Sequence, residues 1–77
     1  MFRVDFLKLH GLGNDFILID ERAGNRVPED MKSEFASRWC DRHRGVGADG
    51  VLFVGPHDKG VSLRIFNADG SEAEMCI

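Results

Sequence analysis

What this chain lacks narrows its class before any motif is read. It has only two cysteines, Cys40 and Cys76, which allow at most one bridge and form no C-x-x-C pair. Its three histidines, His10, His43 and His57, are scattered without zinc-ligand spacing, so no metal is expected. No Lys/Arg stripe runs through the sequence, and the formal charge is −3, which argues against nucleic acid as a partner. The longest apolar runs, such as Val51–Val54, are far too short to span a bilayer, so no membrane segment is expected. The opening residues Met1 to Asp5 lack the basic-then-apolar layout of a secretory signal. With so little cysteine, this points to a reducing cytoplasm. Repeats and low-complexity tracts are absent as well.

What is present is an ordinary globular composition, 43% hydrophobic and 30% charged. Seventy-seven residues make at most one small domain with a modest core. Phe2, Val4 and Phe6 alternate with Arg3 and Asp5, the period of a half-buried strand extending to Leu9. Gly11 to Asp15 breaks it, and Phe16–Ile19 follows as a second strand, the short glycine-rich link implying antiparallel pairing. Glu21 to Arg26 reads as a loop. Pro28, Glu29 and Asp30 suit the first turn of a helix, and Met31, Phe35, Ala36, Trp39 and Cys40 make one apolar stripe. Arg42, His43 and Arg44 fit its last turn, with Gly45 as terminator. Asp49–Val54 and Val61–Phe66 read as two further strands around a Gly55–Gly60 turn region. Four strands and one helix predict an α+β unit whose sheet has open edges. Such edges call for a cover, which suggests further chain.

Several residues carry candidate chemistry. Gly45-Val46-Gly47-Ala48-Asp49-Gly50 matches G-x-G-x-x-G, but the glycines follow a helix and precede a strand. A dinucleotide loop needs the reverse order, so the stretch reads as a helix stop and no cofactor is inferred. His10 is suited to fixing the following turn with a ring N–H, His43 to a basic helix end and His57 to a solvated turn. Cys40, on the apolar stripe, reads as core. Cys76 follows a polar turn and sits beside Ser71, Glu72 and Glu74, a setting open equally to a reactive and a buried thiol. Asn14 and Asn67 lie near glycine at strand ends. They suit turns, and their amides also suit the ammonium and carboxylate of an amino acid.

Three segments then fall in order: His10-Gly11-Leu12-Gly13-Asn14-Asp15-Phe16, Asp41 to Gly50, and Arg64 to Glu72 followed by Cys76. Together they resemble the amino-terminal part of diaminopimelate epimerase over nearly the whole chain. The resemblance implies a cofactor-independent (PLP-independent) amino-acid epimerase of lysine and cell-wall precursor synthesis. It implies two cysteines facing each other across the substrate α-carbon, Cys76 being the first and the second lying elsewhere. Asn14 and Asn67 would be substrate-binding amides. The fold implied is a pair of α/β barrels, each around a central helix, with the site between them. Residues 1–77 would be an incomplete N-terminal domain: a partial mixed β-sheet or barrel with one packed helix. A missing C-terminal portion or companion chain, and a homodimer, are the partners admitted beside the small-molecule substrate. Ile77 stands where the family carries glycine, so the isolated chain is expected to be inactive. The alternatives are a non-catalytic structural or interaction module on the same sheet, and a related isomerase such as a proline racemase relative.

Overall fold

The computed structural model describes residues 4–11 and 13–73. Five strands form one mixed sheet in chain order: β1 (Leu7–Gly11), β2 (Asn14–Asp20), β3 (Gly50–His57), β4 (Gly60–Asn67) and β5 (Glu72–Ala73). β1 and β2 pair antiparallel across the tight glycine turn, as their short link implied. β2 and β3 pair parallel, and the crossover between them carries a 3₁₀ turn (Glu29–Met31) and helix α1 (Lys32–Trp39). β3–β4 and β4–β5 are antiparallel. The sheet does not close on itself among the described residues, which agrees with an open-edged α+β unit.

The elements depart from the sequence reading in four places. Val4 to Phe6 are not strand, and Phe2 and Arg3 lie outside the described residues. β3 runs through Gly55 and Pro56 to a two-residue turn at Asp58 and Lys59. Proline is tolerated there because β2 stops pairing at Val54, so among the described residues no strand on that side wants its missing N–H. The helix ends at Trp39 rather than in the basic stretch. There the Asp41 carboxylate accepts the N–H groups of His43 and Arg44 at 2.8 and 3.2 Å, which offers the backbone an alternative to the helical ladder. The fourth departure is the two-residue β5, too short to leave a period in the sequence.

The helix stop itself follows expectation. Trp39 O accepts the N–H groups of Val46 and Gly47 at 2.9 and 3.0 Å, and Cys40 O accepts that of Ala48 at 3.1 Å. The Trp39 and Cys40 carbonyls at the helix end are thereby satisfied. A Cβ on Gly45 would sit 2.6 Å from Trp39 O and 2.7 Å from Arg38 O, so only glycine permits this close return of the chain.

One face of the sheet is packed by the crossover. Ile17, Ile19, Val51, Phe53 and Phe66 meet Val27, Ala36, Cys40 and Ala48 in a single core. Phe53 and Phe66 pack edge-to-face at 5.6 Å. Cys40 is core, as its stripe position implied, but Met31 and Trp39 of the same stripe are 48% and 40% exposed. Lys32, next to Met31, is buried instead. Its ammonium lies 3.0 Å from Glu21 Oε1 and 4.7 Å from the centre of the Phe53 ring, and donates to Val27 O at 2.7 Å. Glu21, in the loop as its sequence implied, is thus an anchor of the crossover.

The second face is apolar as well. The register aligns Leu7, Leu9, Phe16, Leu18, Leu52, Val54, Leu63 and Ile65 on it. All of them are half-exposed or exposed.

Candidate functional site

Asn14 and Asn67 fall on one end of the sheet and on one face. Phe16 is the partner of Gly50, and Gly50 is the partner of Asn67. Residues two apart on a strand share a face, and register partners do too, so Asn14, Phe16, Gly50 and Asn67 project together on the side away from α1. Strand spacing puts the two residues about 10 Å apart across the sheet and about 7 Å apart along it, roughly 12 Å in all, with β3 between them. Gly50 makes room in the middle. A Cβ there would meet Phe66 O at 2.8 Å and two Phe16 ring atoms at 3.3 Å, so the Phe16 ring lies over the glycine as an apolar floor between the amides.

The two asparagines are held differently. Asn67 opens a turn in which its Nδ2 donates to Ser71 Oγ at 3.1 Å and its N–H to Ser71 O at 2.7 Å. Ser71 is held in turn by Asp69 Oδ1, which accepts its hydroxyl at 2.6 Å and its N–H at 2.9 Å, and this keeps the Asp69 carboxyl below its ordinary range. From the helix, Ser33 Oγ donates to Gly70 O at 2.6 Å. The turn reading therefore describes Asn67 well. Asn14 is exposed, and its side-chain amide makes no hydrogen bond among the described residues. It lines an open cleft of about 400 Å³ with His10, Gly11, Gly13, Asp15, Arg42 and Asp49. His10 does not fix the turn as expected: its ring makes no hydrogen bond among the described residues. His43 is exposed in the turn after the helix, and Lys59 donates its N–H to His57 Nδ1 at 3.5 Å in the hairpin turn.

Behind Asn14 lies a charged cluster that sequence reasoning missed. Arg42 donates to both Asp15 carboxylate oxygens, at 2.8 and 3.2 Å, and reaches Asp49 Oδ1 at 3.4 Å. Lys8 donates to Asp15 Oδ2 at 3.1 Å and to Gly47 O at 2.5 Å. Arg42, and after it Lys8, hold the Asp15 carboxyl far below the usual carboxylate range. The same pair raises Arg42. These bonded groups lie 7 to 39 residues apart, so no local period could have shown them. The available signal was weaker: Asp15 adjoins Asn14, and Arg42 and Asp49 bracket the glycine turn that stops the helix.

Cys76 lies outside the described residues. Cys40 is 3% exposed, and burial pushes its thiol up, away from the thiolate form. No helix among the described residues is long and apolar enough to cross a membrane.

Comparison with known proteins bears directly on this arrangement. The family model for diaminopimelate epimerase matches residues 6–76, which takes in both asparagines, the charged cluster and Cys76. The chain belongs to the diaminopimelate epimerase family. It is 56% identical over 77 residues to the diaminopimelate epimerase of Methanothrix thermoacetophila, covering 99% of this chain and 28% of the relative. It is 58% identical over 73 residues to that of Methanothermobacter thermautotrophicus, covering 92% and 26%. Diaminopimelate epimerase 1 of a Nostoc species is 56% identical over 75 residues, covering 95% and 26%. The chain thus spans about a quarter of the length of the curated relatives it matches. The mixed open sheet with one packed helix agrees with a fragment of that family's N-terminal domain.

Proposed function

We propose that this chain supplies part of the substrate site of a diaminopimelate epimerase, which interconverts the LL and meso forms without a cofactor. Residues 1–77 would be an incomplete N-terminal domain carrying one catalytic residue, Cys76, and two substrate-binding amides, Asn14 and Asn67. The observation that carries this reading is the register that puts both asparagines on one face and one end of the sheet, within a segment the epimerase family matches through Cys76.

The chemistry asks for these residue types. Inverting a stereocentre requires a base and an acid on opposite faces of the α-carbon, because one group alone would return the proton to the side it left. A thiolate at Cys76 would take the α-proton, and a second cysteine from beyond this segment would deliver one to the other face. Cys40 does not suit that second role, since its thiol is buried in the core and shifted away from ionisation. Asn14 and Asn67 each offer donors and an acceptor to the ammonium and carboxylate of an amino acid. A continuation of the chain or a companion chain would cover the apolar second face, and a homodimer and a cytoplasmic setting fit the same reading.

The test is α-proton exchange in heavy water with diaminopimelate. The 77-residue chain alone is expected to incorporate no deuterium, whereas residues 1–76 replacing the matching segment of the Methanothrix thermoacetophila relative, with that relative's own residues following Cys76, are expected to exchange and to epimerise. Exchange by the isolated chain would refute the two-thiol mechanism. An inert chimera that is folded would refute the epimerase reading and favour a non-catalytic module.

A further inference from the structure

β2 begins at Asn14, but its parallel ladder with β3 begins only at Phe16 and Gly50. The first two residues of the strand therefore extend past the last rung. What fixes them on the β3 side is Asp49. Its Oδ2 accepts the Asp15 N–H at 2.8 Å, and its own N–H donates to Asp15 O at 2.8 Å. A side chain thus replaces the missing ladder bond, and both polar groups of the Asp15 backbone are held by one residue. Asp49 also immediately precedes Gly50, whose other partner is Asn67. One residue links the frames of the two amides.

We propose that Asp49 is a positioning residue for the Asn14 amide, acting through the backbone of Asp15; this rests on the epimerase reading above. Asn14 needs such help because nothing else among the described residues holds its side chain. Gly11 pairs with Asn14 across the hairpin but, like Gly13, brings no side chain to the amide. The direction of the Asn14 side chain is therefore inherited from the backbone at Asp15. Arg42 steadies the arrangement by bonding the carboxylates of Asp15 and Asp49 together. The role is geometric: it depends on where the acceptor oxygen sits, not on the charge it carries.

The experiment uses the chimera described above and measures KM for diaminopimelate and kcat separately. Asp49→Asn keeps an acceptor oxygen at the same distance along the side chain and loses the charge. Asp49→Glu keeps the charge and moves the acceptor by one methylene. A displaced binding amide weakens ground state and transition state alike, so Asp49→Glu is expected to raise KM about tenfold with kcat nearly unchanged. Asp49→Asn is expected to stay close to the parent in both constants. The reverse ranking, or a fall in kcat at constant KM in both variants, would overturn the proposal, because loss of charge or loss of folded protein would then account for the effect. Circular dichroism of both variants separates misfolding from displacement. An inactive parent chimera would instead overturn the epimerase reading on which the proposal stands.

Discussion

Both ends of β2 are tied down by ion pairs, but of opposite kinds. At its exit, Glu21 and Lys32 are 5% and 2% exposed, sealed from water. At its entry, Asp15 is buried while its cationic partners Arg42 and Lys8 are 56% and 28% exposed. A sealed pair has no alternative to its partner, so losing one member strands a charge in the core. A pair reaching solvent can be rehydrated, and its loss changes geometry more than stability. The exit therefore serves folding, and the entry serves the placement of Asn14. The contrast separates two uses of similar chemistry on one seven-residue strand.

The contrast is open to attack at four points. Lys32→Met should have the largest effect. Among the described residues it leaves the Glu21 carboxylate with only the Arg26 and Val27 N–H groups, at 2.8 and 3.0 Å, and is expected to cost about 3–5 kcal/mol, read from urea unfolding. A loss as small as that of a surface substitution would erase the distinction between the two ends. Gly45→Ala comes next. Its Cβ would collide with the Arg38 and Trp39 carbonyls and displace the turn that delivers Arg42 to the entry cluster. An expected loss of about 1–3 kcal/mol should appear in the same titration.

Acid sharpens the comparison. Burial alone would raise the Glu21 carboxyl, but the Val27 N–H, Lys32 and the Arg26 N–H outweigh it, and the net shift is downward. Asp15 is lowered by Arg42 and Lys8, and Asp20 is lowered to about 2 by Arg22. Carboxyls lowered in the folded state leave the unfolded chain holding more protons in acid. Their stabilisation is complete above the unfolded pKa of about 4 and is lost as pH falls through the folded values. Thermal unfolding midpoints should therefore drop steadily from about pH 5 to pH 2, and Asp15→Asn should flatten part of that slope. A slope unchanged by that substitution would remove Asp15 from the account. Ser33→Ala should have the smallest effect, about 1 kcal/mol or less, because it deletes one hydroxyl bond to Gly70 O. Its more telling readout is the Asn67 side-chain amide resonance, which should move as the turn at residues 67–71 loosens.

Legibility in the sequence followed the range of the interaction. Alternation exposed β4, and the apolar run Phe16–Ile19 exposed β2, because burial of one face writes a short period into neighbouring residues. Gly45 announced the end of the helical segment, but the helix stopped six residues earlier, since the Asp41 carboxylate caught the His43 and Arg44 amides. The apolar stripe predicted buried Met31 and Trp39. Instead the adjacent Lys32 went inside, drawn by an acid eleven residues away that no periodicity connects to it. Asn14 and Asn67 were legible as amides beside glycines, yet their shared face depends on a register 53 residues apart in sequence.

By itself the sequence determined the class of the chain, the order of its main strands and helix, and the family to which its three ordered segments belong. Those properties arise from local patterns of burial and turn chemistry, which neighbouring residues carry in full. Only the tertiary structure decided which charges are sealed and which meet water, and that Asp49 reaches back to the start of β2. Parallel pairing of β2 with β3 brings those groups together, and pairing across a crossover of some thirty residues is set by the packing of the whole core.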